Sequence, residues 1–100
     1  MIGRLLRRLR PARNDGPARP GPVAETERYE GLDIEARPVR EGDVWRVAGT
    51  IRRGSGEQAE THDFVRADTM ADHDQAVKMS LLKARQLIDD LGETLFRRRS

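Results

Sequence analysis

The stretch VWRVAGTIRR, residues 44–53, decides the fold because its side chains alternate with a period of two. One side of an extended chain would carry Trp45, Val47, Gly49 and Ile51, and the other side carries mainly polar residues. This alternation is typical of a strand with one face in the core and the other in solvent. The stretch therefore predicts a central strand with Trp45 in the core. The alternative is an exposed aromatic ring that stacks on single-stranded bases.

A second strand is predicted before this stretch. In YEGLDIEARPV, residues 29–39, apolar side chains alternate with charged ones. Pro38 suits the end or edge of a strand because it has no N–H to donate. The residues EGD, 41–43, are of the kind that closes a hairpin. The two strands are therefore expected to pair antiparallel.

A third strand is predicted after the central one. GSGE, residues 54–57, forms the second turn, and ETHDFVRAD, residues 60–68, follows it. His62 and Phe64 share one face of this strand. Three strands joined by short turns form an antiparallel β-meander.

One amphipathic helix is predicted after the third strand. Asp72 is in position to cap its N-terminus, Asp74 favours the helix dipole, and Gly92 is placed as its C-terminal cap. Apolar residues between them are spaced by four and three: Val77, Leu81, Ala84, Ile88 and Leu91, with Leu87 and Leu95 beside them. The sequence thus predicts an α+β fold in which a helix of about 20 residues packs on one face of the meander.

Basic residues are concentrated at the two ends of the chain. Residues 1–24 hold six Arg and one Asp, for a net charge of +5, and the tail 97–100 adds +3. Residues 25–96 hold 10 basic and 16 acidic side chains, for a net charge of −6. Attraction to a polyanion must therefore come from the ends, because the predicted domain at 25–96 would repel it.

The first ten residues, MIGRLLRRLR, have the pattern of a short basic amphipathic helix. Its apolar face carries Ile2, Leu5, Leu6 and Leu9, and the rest of its surface carries Arg4, Arg7, Arg8 and Arg10. Residues 11–24 contain four of the five prolines and are predicted to be a flexible linker. A domain boundary is expected near Ala24.

Two hypotheses for the basic ends are open. In the first, the four arginines of residues 1–10 contact phosphates of DNA together with Arg97, Arg98 and Arg99, and a partner protein supplies specificity. In the second, residues 1–10 anchor a docking adaptor to an anionic membrane surface or to a protein. The second hypothesis explains why an apolar stripe is present, which phosphate binding alone does not.

Signals of an enzyme are absent from the sequence. It has no P-loop, dinucleotide fingerprint or hydrolase motif, and it has no cysteine, which fits a reducing cytoplasm. His62 and His73 are each followed by Asp, but neighbouring strand residues such as His62 and Asp63 point to opposite faces and cannot chelate one ion together. We therefore expect no catalytic activity, no cofactor, no metal and no small-molecule substrate.

Four blocks of the chain between Tyr29 and Phe96 resemble the HlyU family, whose small bacterial members are named as transcriptional activators of hemolysin. The blocks are YEGLDIEARPV, WRVAGTIRR, THDFVRADTM and AVKMSLLKARQLIDDLGETLF. The chain does not resemble the winged-helix regulator of the same name, because it has one clear long helix and no helix-turn-helix pair.

The resemblance implies a regulatory protein that acts in transcription, on promoter DNA or on another regulator. It singles out the block around Phe64, Arg66 and Asp68. We expect Asp68 to anchor the turn between strand and helix, and Arg66 to pair with a carboxylate. The alternative is that both contact a partner. A cytoplasmic protein is expected, with contact to the inner face of the membrane if residues 1–10 bind lipid. Dimerisation through the open face or the edge of the sheet is compatible with the sequence.

Overall fold

The computed structural model describes residues 19–96, so the predicted N-terminal helix and the basic tail lie outside the described residues. Within this range the elements are β1 Glu25–Tyr29, β2 Leu32–Ala36, β3 Val39–Glu41, β4 Val44–Arg53, β5 Glu60–Met70 and α1 His73–Leu91. The same range also contains two short 3₁₀ segments, Gly56–Gln58 and Gly92–Phe96. The α+β class is confirmed, but the described range holds five strands where three are predicted.

The predicted central strand is confirmed as β4. One edge of β4 pairs with β2 along residues 49–52 and with β3 along residues 44–46. The other edge pairs with β5, and β1 pairs with the outer edge of β2. Every pairing is antiparallel.

The two additional strands have separate causes. β1 is an edge strand of mostly exposed, charged residues, so it carries no apolar alternation that would predict it. A two-residue turn joins it to β2, and Glu30 and Gly31 both have positive φ, 52° and 79°, as a type I′ hairpin requires. β3 is separate from β2 because Pro38 lies between them and cannot donate to the ladder.

The predicted hairpin turn at residues 41–43 is also confirmed. Glu41 pairs with Val44, which leaves Gly42 and Asp43 as the loop. Gly42 has a φ of 62°, and a glycine takes this conformation without steric cost.

The caps of α1 lie where the sequence predicts them. The Asp72 carboxylate accepts a hydrogen bond of 3.1 Å from the Gln75 backbone N–H, and Gly92 ends the helix with a φ of 52°. Leu91 is 46% exposed, so its predicted place on the buried stripe is wrong. The chain turns away at Gly92, and Leu95 and Phe96 are the buried residues at that end.

A single apolar core lies between α1 and one face of the sheet. Its buried members are Ile34, Ala36, Val47, Ile51, Phe64, Val77, Leu81, Ala84, Ile88, Leu95 and Phe96. Phe64 lies against Gly49, where a Cβ would come within 2.8 Å of the phenyl ring and 2.5 Å of the Glu35 carbonyl oxygen. The absence of a side chain at position 49 is therefore what lets the ring lie on the sheet.

Candidate protein-interaction site

Trp45 lies at the margin of the helix-covered face, outside the cluster of core residues. Its side chain is half-buried, and its neighbours across the strands are Arg40 and Met70. The indole ring meets the His73 imidazole edge-on, with ring centroids 4.5 Å apart, and the Arg40 guanidinium lies 5.5 Å from the ring. The prediction that Trp45 is a core residue is therefore wrong. Trp45 meets α1 at His73, where the helix begins, whereas the buried helix residues start at Ala76.

A groove of about 570 Å³ opens beside Trp45. We call it the Trp45 groove, and its lining is Gly21, Pro22, Val23, Ala24, Pro38, Val39, Arg40, Trp45 and His73. The lining is mostly apolar, and the Val23 side chain is 50% exposed. An aromatic ring in an apolar groove is a surface of the kind that anchors protein partners.

The wall formed by residues 21–24 is fixed to the sheet by hydrogen bonds. The Gly21 N–H donates to the Arg37 carbonyl at 2.9 Å, and the Ala24 N–H donates to the Ala36 carbonyl at 2.8 Å. The Arg37 side chain donates to the Gly21 carbonyl at 2.6 Å. The last residues of the predicted linker thus extend the line of β1 and hold one side of the groove in place.

Charged residues lie along one end of the Trp45 groove. A second cavity of about 350 Å³ shares Ala24 and His73 with it and is also lined by Glu25, Asp74 and Lys78. An apolar centre with a charged rim is the usual arrangement of a protein interface. The site can therefore hold an apolar side chain of a partner and orient it with polar contacts at the rim.

The sheet face that points away from α1 offers a different kind of surface. Arg37 donates to the Thr50 hydroxyl at 2.8 Å, and that hydroxyl donates to the Asp63 carboxylate at 2.7 Å. The Glu35 carboxylate accepts from Arg52 at 3.0 Å and lies 3.9 Å from Arg37. Thr50 is only 1% exposed beneath this network.

The remaining arginines of that face are paired as well. Arg46 donates to both oxygens of Glu41, at 2.6 and 2.7 Å, and these bonds lower the pKa of the Glu41 carboxyl and raise that of Arg46. Arg28 lies 3.0 Å from Asp33. These four arginines, Arg28, Arg37, Arg46 and Arg52, are therefore balanced by neighbouring carboxylates and offer little net positive charge to a phosphate backbone.

The block around Phe64 has a mainly structural place in the fold. Phe64 is 6% exposed in the core. Beyond it the register of β5 shifts, so that residues 66–68 stand opposite Val47 alone. This bulge takes residues 66–68 out of one-to-one pairing with β4.

The two charged residues of this bulge have other contacts than those expected. Asp68 lies 3.5 Å from Lys83 of α1, so it connects strand and helix away from the turn between them. The Arg66 carbonyl accepts a 2.9 Å hydrogen bond from Arg46. Its exposed side chain has no carboxylate partner among residues 19–96, contrary to the expected pair. Contact of either residue with a partner stays a prediction.

Sequence reasoning missed the Trp45 groove because half of it comes from the predicted linker. One signal was present: Val23 is the one large apolar side chain between Leu9 and Tyr29. The predicted contact residues Arg4, Arg7, Arg8 and Arg10, the apolar residues Ile2, Leu5, Leu6 and Leu9, and the tail residues Arg97, Arg98 and Arg99 all lie outside the described residues.

Residues 19–96 can also be assessed for a membrane-spanning helix and for a metal-ion site. No helix there is long and apolar enough to cross a membrane. In the same range, no group of three His, Asp or Glu side chains is arranged to hold a metal ion.

A family model described as "Transcriptional activator HlyU" matches residues 5–96. The match begins within the basic N-terminal segment, whereas the resemblance seen in the sequence begins only at Tyr29. Neither a curated protein nor a solved structure matches the chain. The matched region thus includes residues 5–10 of the basic segment, the proline-rich stretch and the sheet with its helix.

Proposed function

The chain belongs to the HlyU family, whose model is described as a transcriptional activator, and we propose that it acts in transcription by binding a partner protein at the Trp45 groove. The partner supplies promoter specificity, and the arginines at the two ends of the chain add contacts to DNA phosphates. In this proposal the protein has no catalytic role. The half-buried Trp45 in its apolar groove is the observation that carries the proposal.

The charge of the domain favours a protein partner over direct reading of DNA. Residues 19–96 hold 11 basic and 16 acidic side chains, for a net charge of −5. A domain with this charge repels the phosphate backbone, which supplies most of the affinity of DNA-binding proteins. The paired arginines of the open sheet face do not change this balance, because each contributes to a neutral network.

The size and composition of the groove favour a peptide segment or helix with an apolar anchor. Tryptophan is enriched among the residues whose truncation costs most in protein interfaces. Arg40 donates to the Gly42 carbonyl at 3.0 Å and lies over the indole, so the ring is held in place before a partner binds. A preorganised ring loses little conformational freedom on binding.

The test is a comparison of transcript profiles in a strain that lacks the protein. The strain is complemented with the wild-type chain, with Trp45→Ala, or with the control Leu82→Ala. Leu82 is 39% exposed on α1 and does not line the groove. We expect Trp45→Ala to abolish the transcriptional response at normal protein level, while Leu82→Ala preserves it. A normal response with Trp45→Ala would contradict the proposal.

The role of the basic ends is tested with DNA and with vesicles. If all seven arginines of residues 1–10 and 97–99 contact phosphates, the DNA-binding constant should fall steeply as the salt concentration rises. A plot of the logarithm of the binding constant against the logarithm of the salt concentration should then have a slope of about −6. Filter binding at salt concentrations from about 50 to about 300 mM measures this slope. Undetectable DNA binding together with pelleting on anionic vesicles would instead favour the membrane-docking alternative.

A further inference from the structure

We propose that the Trp45 groove is occupied, in the free protein, by residues 1–10 of the same chain. The apolar side chains Ile2, Leu5, Leu6 and Leu9 cover the indole and the exposed Val23. A partner protein must then displace this segment, which frees its arginines for phosphate contact. The inference rests on the proposed function, because it takes the Trp45 groove as the surface that a partner binds.

The path of the chain brings the segment to the groove. Residues 21–24 form one wall, so the chain enters the described structure at the groove itself. Nine residues separate Arg10 from Pro20. A tether of this length spans roughly 15–18 Å as a flexible coil and about 28 Å as a polyproline-like chain. Either length lets residues 1–10 fold back onto the groove from which the tether starts.

The chemistry of the two surfaces is complementary. The groove is mostly apolar, and the sequence of residues 1–10 has the pattern of an apolar stripe. Residues 1–18 hold five Arg and one Asp, a net charge of +4, against −5 for residues 19–96. Glu25 and Asp74 at the end of the groove can accept hydrogen bonds from the arginines. Lys78 and Arg40 lie close by and oppose this attraction, so the apolar contact must supply most of the affinity.

Because residues 1–10 are tethered to the domain, weak binding to the Trp45 groove is enough to keep the groove occupied. A short flexible linker gives a bound segment an effective concentration on the order of 1 mM. A segment that binds only weakly as a free peptide would therefore occupy the groove for most of the time. The matched family region runs from residue 5 through residue 96, so it includes both the groove and three of the four apolar side chains of the segment.

The single tryptophan of the chain provides a direct measurement. Acrylamide quenching and the emission maximum of Trp45 are recorded for the full wild-type chain and for the full chain with Leu5→Ser, Leu6→Ser and Leu9→Ser. We expect the variant to show a red shift and an increase in the quenching constant of about twofold or more, because loss of a segment at roughly millimolar effective concentration uncovers the ring. Adding a peptide of residues 1–10 to the variant should reverse both changes.

The control variant carries Leu82→Ser and Leu91→Ser. Both leucines are exposed, at 39% and 46%, and neither lines the groove, so Trp45 quenching should stay at the wild-type level. Equal quenching of the wild-type chain and the triple variant would overturn the inference. Quenching of the wild-type chain that falls as protein concentration rises would also overturn it, in favour of a second copy as the occupant.

The inference and the proposed function fail in different experiments. A Trp45→Ala chain with a normal transcriptional response contradicts the proposed function, while the quenching difference between the wild-type chain and the triple variant would still stand. Equal quenching contradicts the inference, while a loss of transcriptional response in Trp45→Ala would still stand.

Discussion

Phe64 and Trp45 lie on the same face of the sheet, on neighbouring strands, and yet they have different environments. Phe64 is 6% exposed and packs in the core against Gly49. Trp45 is half-buried, lies outside the core cluster and contacts His73 and Arg40. The comparison shows that the alternation of a strand identifies the face on which a side chain lies, but not whether the helix covers that part of the face.

The position of α1 explains the difference. The helix begins at His73, and its buried residues run from Ala76 to Ile88 over the half of the sheet that holds Phe64. At the other half, residues 21–24 and β3 border Trp45 without closing over it. The fold thus leaves the Trp45 indole at the edge of a groove, while the smaller Phe64 ring fills the core.

The largest expected effect on stability is at Phe64, the buried residue of the two. Phe64→Ala removes a core phenyl ring and should lower the free energy of unfolding by about 3–5 kcal/mol. A domain of this size is marginally stable, so the variant should be largely unfolded at about 37 °C. Urea denaturation followed by circular dichroism measures the loss. A loss below about 1 kcal/mol would contradict the placement of Phe64 in the core.

Gly49→Ala should have the next largest effect, because the new methyl group would lie 2.5 Å from the Glu35 carbonyl oxygen and 2.8 Å from the Phe64 ring. Forcing a methyl group into such a site costs typically about 1–3 kcal/mol. The same denaturation experiment measures it. In the Phe64→Ala background the added cost of Gly49→Ala should be smaller than in the wild type, since one of the two close contacts is gone. Strict additivity would indicate that the ring does not rest on Gly49.

A smaller effect is expected at the ion pair that joins β1 to α1. Glu27 accepts two hydrogen bonds from Arg85, at 2.6 and 3.0 Å, and they lower the pKa of the Glu27 carboxyl. The folded protein therefore binds this proton less readily than the unfolded chain does, so the contribution is present above the unfolded pKa and is lost as pH falls through the folded pKa. Glu27→Gln should cost about 0.5–1 kcal/mol at pH 7, because both side chains are partly exposed.

The pH dependence distinguishes this pair from a neutral contact. The difference in unfolding free energy between wild type and Glu27→Gln should shrink as the pH is lowered from about 6 to about 3, through the range in which glutamate titrates. A matched control is Glu57→Gln, an exposed glutamate that makes no ion pair within residues 19–96. A difference that does not change with pH would contradict the role of the Glu27 charge.

Those parts of the fold that depend on local patterns were predictable. The alternation in residues 44–53, the glycine at position 42 and the spacing from Val77 to Ile88 each act within a few residues of chain. They are confirmed as β4, the β3–β4 turn and α1. Asp72 and Gly92 cap the helix as predicted, since capping also depends on the next few residues alone.

Those parts that depend on tertiary contact were not predictable. β1 is stabilised by pairing with β2 and by the bond from Arg85, while its own sequence buries almost nothing. The bulge at residues 66–68 depends on how β5 aligns with β4, which the spacing of Phe64, Arg66 and Asp68 does not show. The Trp45 groove needs residues 21–24 beside residues 38–40, a contact between the predicted linker and the predicted first strand.

The stability of the Trp45→Ala variant tests the central claim most directly, because it asks whether this ring belongs to the core or to a surface. Unfolding by urea is compared for the wild type, Trp45→Ala and Phe64→Ala. A half-buried ring outside the core should contribute less than about 2 kcal/mol, so Trp45→Ala should stay folded with a near-native transition. A loss of about 3–5 kcal/mol, as large as that of Phe64→Ala, would show that Trp45 is a core residue and would contradict the account of the groove as a binding surface.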